Sequence, residues 1–339
     1  MISGVSETGP TTPVTPPPPP PPGPLVPAHH RRIVALGGGH GLSAALTALR
    51  LLTDSVTAVV TVADDGGSSG RLRDEFDVLP PGDLRMALSA LCDDSEWGHT
   101  WRDVLQHRFS GAGDLAGHAL GNLIIVSIWE LLDDTVKGLD LVGRLLGARG
   151  RVLPMAGEPL QIVAEIRGHD PQRPDETVEV RGQHRVASSP GIVSSIGILP
   201  TCPTACNEAI EAVARADWVM LGPGSWFTSV MPHLLVPDLA DALVATPARR
   251  VLNLNLEVHK GETRDFRAED HLASFAANAP DLRLDYVLAD PSVVPDAPAL
   301  RAAAAELGAE LVVAPVQARR QPGVHDPLRL AAALRDIIA

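Results

Sequence analysis

A long run of small polar and charged residues, "ADDGGSSGRLRDEF" (Ala63 to Phe76), directly follows the β-branched run "VTAVVTV". A plain turn needs only one or two such residues. Asp64 and Asp65 are suited to accept hydrogen bonds from ribose hydroxyls or to bind a metal ion. The next residues offer amides, hydroxyls and a guanidinium to an anion: Gly66, Gly67, Ser68, Ser69, Gly70 and Arg71. This composition predicts a binding loop, and a solvated surface loop is the alternative.

A second glycine-rich stretch, "GGGHG", lies between an apolar run and an amphipathic pattern. It comprises Gly37, Gly38, Gly39, His40 and Gly41. Glycine lets the backbone approach an anion closely, and the helix that follows supplies partial positive charge from its N-terminus. Gly39, Gly41 and Ala44 also fit the G-x-G-x-x-A spacing of dinucleotide sites, although a tight β–α turn has the same pattern. No Lys-Ser/Thr pair follows, so the stretch is not a Walker loop.

Three later stretches carry polar residues at the ends of apolar runs. "GHALGN" supplies His118 and Asn122 at a helix start, and "LGPGS" supplies Gly222, Pro223, Gly224 and Ser225. Ser225 or Thr228 is expected to cap the helix that follows. "NLNLEVHKGETRDF" contains Asn253, Asn255 and Phe266, the last able to stack on a base or to pack internally. No serine-hydrolase, zinc-protease or Cys–His motif accompanies them, so no catalytic residue is assigned.

The elements around these stretches predict an open, mostly parallel, doubly wound α/β fold of Rossmann type. Strand, helix and strand follow one another within about 30 residues from Ile33, as in a βαβ unit. The helix–strand alternation returns after residue 200, whereas residues 150–200 suggest a β-rich insertion. In such folds ligands bind at the carboxyl ends of the strands, where the polar stretches lie.

Composition limits the classes of partner. Residues 1–30 contain seven consecutive prolines, Pro16 to Pro22, and predict a disordered tail, with a ligand for proline-recognition domains as the alternative. The net charge of −13 argues against nucleic-acid binding. The cysteines, Cys92, Cys202 and Cys206, indicate neither a disulfide framework nor a zinc site and fit a reducing cytoplasm. With no signal-peptide pattern and no apolar run long enough for a membrane span, we expect a soluble cytoplasmic protein.

Taken together, these stretches resemble the CofD-like superfamily, and most closely its YvcK-like branch of gluconeogenesis factors. The resemblance rests on "GGGHGLSAAL", "TVADDGGSSGRLRDEF", "LPPGDLRMAL", "GHALGNLIIV", "LGPGSWFTSV" and "KGETRDF", which run in family order from about Arg31 onwards as one domain, 31–339. It implies a Rossmann-like fold that binds UDP-sugars such as UDP-N-acetylglucosamine. It also implies a role in regulating cell shape, cell-wall metabolism and growth on gluconeogenic carbon sources.

The resemblance also implies which residues form the site. The nucleotide-sugar site comprises residues 37–41 and 64–71, with His118, Asn122 and residues 222–225 beside it; Asn255 and Phe266 complete the candidate set. Many family members have Thr in place of His40 and Tyr in place of Phe266. A regulatory protein partner of unknown identity and a homo-oligomer are expected.

Two enzymatic alternatives remain. The CofD relatives transfer 2-phospho-L-lactate from a nucleotide diphosphate donor with Mg²⁺, and in such a transferase Asp64 or Asp65 would hold the ion. No cofactor is otherwise predicted. An NAD-dependent oxidoreductase would account for the G-x-G-x-x-A spacing and one acid but leaves "DDGGSSGR" without a role.

Overall fold

The fold is described from a computed structural model covering residues 31–256, 261–263 and 266–338. The predicted proline-rich tail lies outside these residues. The strands are β1 (Ile33–Gly37), β2 (Val56–Val60), β3 (Arg151–Pro154), β4 (Gln161–Arg167), β5 (Thr177–Arg181), β6 (Ile192–Leu199), β7 (Trp218–Leu221), β8 (Arg249–Asn253), β9 (Tyr286–Ala289) and β10 (Glu310–Val313).

Helices connect most of these strands. They are α1 (Gly39–Leu49), α2 (Gly67–Phe76), α3 (Pro81–Leu91), α4 (Glu96–Gln106), α5 (Leu120–Leu132), α6 (Thr135–Leu146), α7 (Gln183–Ala187), α8 (Asn207–Ala214), α9 (Pro237–Ala245), α10 (Ala268–Asn278), α11 (Ala297–Glu306) and α12 (Pro327–Ile338). A π-turn spans Trp226–Val230, and 3₁₀ turns span Met231–Leu234, Gly261–Thr263 and Pro291–Val293.

Within the described residues, the main sheet has seven strands in the order β10-β9-β8-β7-β1-β2-β3. Each neighbouring pair is parallel. From β1 the chain winds outwards through β2 and β3, and it then returns to β7 and winds the other way. The strand order therefore reverses between β1 and β7, which is the arrangement of a doubly wound fold. The predicted fold class is confirmed.

The central strands owe their position to their composition. Every residue of β1 and of β7 is buried, because helices cover both faces of a parallel sheet. Crossovers between parallel strands are right-handed, so the two directions of winding place their helices on opposite faces. Consistent with this, α1 packs against α3 and α12, whereas α9 packs against α8. Among the described helices, none is long and apolar enough to span a bilayer.

A separate antiparallel sheet in the order β5-β4-β6 forms the β-rich part of the chain. It is shorter than the sequence indicated, because β3 pairs in parallel with β2 and forms an edge of the main sheet. The strands of the small sheet lie in the segment Gln161–Leu199, and α7 connects β5 to β6 within that segment. Helix α7 contacts both the π-turn and the 3₁₀ turn at Gly261–Thr263, so the insertion lies against the carboxyl edge of the main sheet.

Candidate functional site

A cavity of about 320 Å³ lies at the point where the strand order reverses. Its walls are the glycine loop after β1, the loop after β7, Asn255 and residues 323–325. The structure thus brings together these predicted site residues: Gly38, Gly39, His40, Gly41, Gly224, Ser225 and Asn255. They meet because neighbouring parallel strands end at the same edge of the sheet.

Two glycines permit the close packing of the loops that line this cavity. Gly39, the first residue of α1, has φ +58°, a left-handed value that favours glycine. A Cβ on Gly41 would collide with the backbone carbonyl of Pro223, because the loops after β1 and β7 touch there. Gly38, which precedes α1, makes no side-chain cap to the helix. The first residues of α1, Gly39, His40 and Gly41, line the cavity, and a helix N-terminus is a favourable place for an anion.

The two aspartates that follow β2 have different partners. Asp64 Oδ1 accepts a hydrogen bond from the Gly66 amide at 2.9 Å and so shapes its own loop. Asp65 Oδ1 instead accepts from the His184 amide at 3.0 Å, at the start of α7. Asp65 therefore fastens the insertion to the loop, whereas Asp64 remains beside α3, where its Oδ2 lies near Gly82.

A buried polar network lies beneath this loop. Asn122 Nδ2 donates to Ser68 Oγ at 3.0 Å, and the Ala119 amide donates to the same oxygen at 3.4 Å. With two donors directed at it, the Ser68 hydroxyl sends its own proton to His118 Nδ1, 3.0 Å away. His118 then carries its proton on Nε2. Burial lowers the pKa of His118, and the charge of Arg71 adds to the effect, so the imidazole is neutral at pH 7.

The network extends to a cation that the sequence analysis did not single out. Arg85 is buried and donates through Nε to Asn122 Oδ1 at 2.9 Å; its guanidinium also donates to the Gln106 side chain. Burial lowers the pKa of Arg85 to about 10, so it stays charged at neutral pH. Arg71, predicted to pair with an anion, is exposed and donates to the carbonyls of Asp114 and Ala116 at 3.1 and 2.8 Å. It thereby holds the segment that precedes His118.

Asp83 is the acidic residue of this region that the sequence analysis did not assign. It lies in the first turn of α3, only 9% exposed, and its Oδ2 has no hydrogen-bond partner among the described residues. A Cβ on Gly38 would come 2.5 Å from this oxygen, so Asp83 lies directly behind the glycine loop. Burial raises the pKa of Asp83 to about 7, and the charge of Asp64 adds to the rise. The sequence signal was the acid directly after "LPPG", in the first turn of a helix that is mostly apolar.

The Asp64–Asp83 pair fits the Mg²⁺ ion that the resemblance to CofD-like transferases implies. Burial and the charge of Asp64 raise the pKa of Asp83, whose Oδ2 is unpartnered, so the two carboxylates make a donor set that a hard cation would stabilise. Mg²⁺ commonly binds one or two carboxylates together with substrate phosphates, for which it supplies charge neutralisation. The partner of Asp64 in this fit is Asp83 rather than the predicted Asp65, which is bonded to α7. The described residues contain no group of three or more metal-binding side chains.

The loop after β7 is stabilised by a buried glutamate. Glu262 Oε1 accepts from the Ser225 hydroxyl at 2.7 Å and from the Phe227 amide at 2.8 Å. The sequence analysis expected Ser225 or Thr228 to cap the following turn, but the Ser225 side chain makes no capping bond. The carboxylate of Glu262 accepts from the Phe227 amide in its place. Burial raises the pKa of Glu262 despite these bonds. Phe266 contacts the rings of Phe227 and His271 edge-on, with centroids 5.7 and 5.2 Å away.

Two asparagines, Asn253 and Asn255, lie at and just beyond the end of β8 and are separated by Leu254. Asn255 lines the cavity, and its Oδ1 accepts from the Leu256 amide at 2.9 Å. Asn253 is buried, and neither atom of its carboxamide has a partner in the part of the chain that the structure describes. The backbone carbonyl of Asn253 lies against Gly222, where an added Cβ would come within 2.8 Å of the carbonyl oxygen. Asn253 therefore adds unpaired polar groups just below the loop after β7.

A larger cavity, of about 680 Å³, lies at the opposite edge of the sheet around Arg31, Asp217 and Trp218. There Asp217 pairs with Arg32 at 2.9 Å, and the guanidinium of Arg249 lies 5.6 Å from the Trp218 ring. These charges have partners within the fold, and the cavity faces the amino ends of the strands. Doubly wound folds bind ligands at the carboxyl ends, so the smaller cavity is the candidate site.

The sheet order and the smaller cavity, of about 320 Å³, define a doubly wound α/β protein with a ligand crevice at its switch point. The chain belongs to the CofD family, since the family model described as "2-phospho-L-lactate transferase CofD" matches residues 33–325. A Mycobacterium tuberculosis protein named "Putative gluconeogenesis factor" is 53% identical over 310 residues, or 91% of this chain and 90% of that protein. A Listeria monocytogenes "Gluconeogenesis factor" is 36% identical over 264 residues, covering 78% of this chain and 79% of its own length.

A solved structure agrees with these relatives. A crystal structure of a UPF0052 family member from Bacillus halodurans superposes with a TM-score of 0.78 at 30% identity. The match covers 90% of this chain and 99% of that chain. The resemblance drawn from the sequence, including its gluconeogenesis-factor branch, is thereby confirmed.

Proposed function

We propose that this protein binds a nucleotide sugar, such as UDP-N-acetylglucosamine, and acts as a regulatory protein. The observation that carries the proposal is the cavity at the switch point, which is bordered by the glycine loop and the N-terminus of α1. A diphosphate at these amides would leave the base and the sugar to contact the loop after β7 and Asn255. The cavity volume falls within the range of about 300–1,000 Å³ typical of small-ligand sites.

The charge distribution supports a diphosphate held by amides. None of the described residues lining the cavity is lysine or arginine, and the whole chain carries a net charge of −13. Arg71 is bonded to backbone carbonyls instead. The positive end of the α1 dipole is therefore the local feature that would attract phosphate in an acidic protein.

The biological role follows from the family. Relatives are named gluconeogenesis factors, and we propose that this protein likewise regulates carbon metabolism, cell shape and cell-wall metabolism from the cytoplasm. A nucleotide sugar is a precursor of wall polymers, so its binding would let such a protein respond to precursor supply. The regulated partner would be another protein, and the regulator itself is proposed to form a homo-oligomer.

Calorimetric titration with UDP-N-acetylglucosamine and UDP-glucose tests this function. We expect saturable binding by the wild type and its loss in Gly41→Ala, whose methyl group would collide with the Pro223 carbonyl. Gly143→Ala is the matched control, because a Cβ there would meet only Leu88 and Ala148 at ordinary van der Waals distances. If the wild type binds neither nucleotide sugar at millimolar concentration, the proposed function is wrong.

The Asp64–Asp83 pair favours a second candidate, a CofD-like transferase that moves a phospho-lactyl or similar group. The two carboxylates would hold Mg²⁺ beside the diphosphate of a nucleotide donor, where the ion would neutralise charge. Nucleotide release from GDP- and UDP-linked donors with Mg²⁺ would support this candidate. Thermal unfolding supplies a second readout: Mg²⁺ should stabilise the wild type at pH 8 but not Asp83→Asn. Without either effect, the candidate fails.

A further inference from the structure

The loop between β10 and α12 carries a histidine on a firmly held backbone. Asp290, which follows β9, accepts hydrogen bonds through Oδ2 from the amides of Val316 and Gln317 at 2.8 and 2.9 Å. Gln317 in turn forms a β-bridge with His325. The Asp326 amide, next to His325, donates to the Val316 carbonyl at 2.8 Å. His325 is therefore fixed from both sides to a segment that β9 positions.

A second set of bonds closes the same loop. The Gly323 amide donates to Gln317 Oε1 at 2.7 Å, and the Ala318 amide donates to the Val324 carbonyl at 2.8 Å. Arg329 from α12 donates to the Gln317 carbonyl at 3.0 Å. This bonding makes residues 316–326 a rigid support, suited to holding one side chain in a defined place.

The side chain of His325 lines the cavity at the switch point, together with the glycine loop and Asn255. It is 5% exposed, and its Nε2 has no hydrogen-bond partner among the described residues. The Leu254 carbonyl bonds the imidazole, whose neutral form has one N–H donor and one acceptor nitrogen. Burial lowers the pKa of His325 to about 4, although the Asp290 charge opposes this effect. At neutral pH the imidazole is therefore uncharged, and the ring nitrogen that carries no proton is a hydrogen-bond acceptor.

A buried histidine with a purely structural role looks different in this same protein. His233 is fully buried, and both of its nitrogens lie near backbone carbonyls: Nδ1 is 3.3 Å from Val230 O, and Nε2 is 3.1 Å from Val59 O. A neutral imidazole has a single N–H, so His233 donates to one of these two carbonyls, and it does not line the cavity at the switch point. His325 differs because it lines that cavity, where a ligand could supply the missing partner.

We propose that His325 is a ligand-recognition residue whose unprotonated imidazole nitrogen accepts a hydrogen bond from a hydroxyl group of the bound nucleotide sugar. The hydroxyl belongs either to the ribose or to the second sugar, since both present the same donor. This assignment rests on the proposed function and adds to it a specific contact from the C-terminal part of the chain. It also explains why an imidazole is held so rigidly at the rim of the glycine loop.

Calorimetry with UDP and with UDP-N-acetylglucosamine tests the assignment on four proteins: the wild type, His325→Leu, His325→Gln and Arg320→Ala. The leucine variant lacks an acceptor, and we expect its affinity to fall about ten-fold or more. Glutamine retains an acceptor oxygen and should recover part of the loss. Arg320 is exposed on the same loop, so Arg320→Ala should bind like the wild type. Thermal melts of all four proteins verify that each is folded.

The pattern across the two ligands identifies the hydroxyl. An equal loss for both ligands assigns the contact to the nucleoside, and the loss should then vanish with 2′-deoxy- or 3′-deoxy-UDP. A loss confined to UDP-N-acetylglucosamine assigns it to the second sugar. Unchanged affinity of folded His325→Leu for both ligands overturns the assignment, as does a nucleoside loss that persists with both deoxy ligands. Failure of the wild type to bind either ligand refutes the proposed function itself.

Discussion

Substitution of Asp83 should make this protein more stable at alkaline pH. The carboxyl group is buried behind the glycine loop, and burial together with the charge of Asp64 raises its pKa from the ordinary 3.8 to about 7. Between these two pH values the native protein binds more protons than the unfolded chain. The free energy of unfolding therefore falls as pH rises through this window, and the fall is complete above about pH 7.

The size of the effect follows from the shift. Each pKa unit corresponds to about 1.4 kcal/mol, so ionising Asp83 costs the native state about 4 kcal/mol. Asp83→Asn cannot ionise but keeps nearly the same shape. The variant should match the wild type near pH 4 and exceed its free energy of unfolding by up to about 4 kcal/mol at pH 8.

Guanidinium unfolding of both proteins at pH 5, 6, 7 and 8, without divalent cations, measures this difference. Asp290→Asn is the control with the opposite sign. Burial alone would raise the pKa of Asp290, but hydrogen bonds from Ser292, Gln317 and Val316 outweigh it and hold the pKa below its usual value. Its ionised form therefore stabilises the fold, and Asp290→Asn should lose stability at pH 8. Parallel pH profiles for the wild type and Asp83→Asn would refute the reasoning.

Three further substitutions test other parts of the site. Gly38→Ala places a methyl group against Asp83 and should cost about 1–3 kcal/mol of stability, measured by thermal unfolding, with weaker binding of UDP-N-acetylglucosamine. Asn122→Leu leaves Arg85 without an acceptor for its Nε and should cost about 2–4 kcal/mol by chemical denaturation; a loss below about 0.5 kcal/mol would contradict the buried network. Asp65→Ala removes the acceptor for the start of α7 and should cost about 1 kcal/mol, with faster limited proteolysis of the insertion. Unchanged cleavage would show that other contacts hold the insertion.

The sequence predicted those parts of the fold that local patterns determine. The apolar runs that became β1 and β7 mark buried parallel strands, and the carboxyl ends of such strands meet at one edge. The hydrophobic pattern did not show whether the loop after β7 faces the same crevice as the loop after β1, whereas in the structure Gly41 lies against Pro223. Their role in ligand binding stays a prediction until a ligand is measured.

Partners distant in sequence could not be predicted in this way. The sequence treated Asp64 and Asp65 as one pair, yet Asp65 bonds to α7 and Asp64 lies beside Asp83. Ser225 was expected to cap a helix because serine usually does so, but the buried carboxylate of Glu262 competes for its hydroxyl. These hydrogen-bond partners depend on which distant segments of the chain pack together, and the local spacing of residues does not predict that packing.

The bond between Asp65 and the His184 amide joins residues 119 positions apart. A second contact, from Arg73 of α2 to the Leu160 carbonyl at 2.6 Å, spans 87 positions. During synthesis, the loop that begins at Asp64 therefore leaves the ribosome long before the segment that fastens it. Because residues 323–325 also line the crevice, it acquires its final shape only when nearly the whole chain has been made, and the nascent N-terminal half is not expected to bind the ligand.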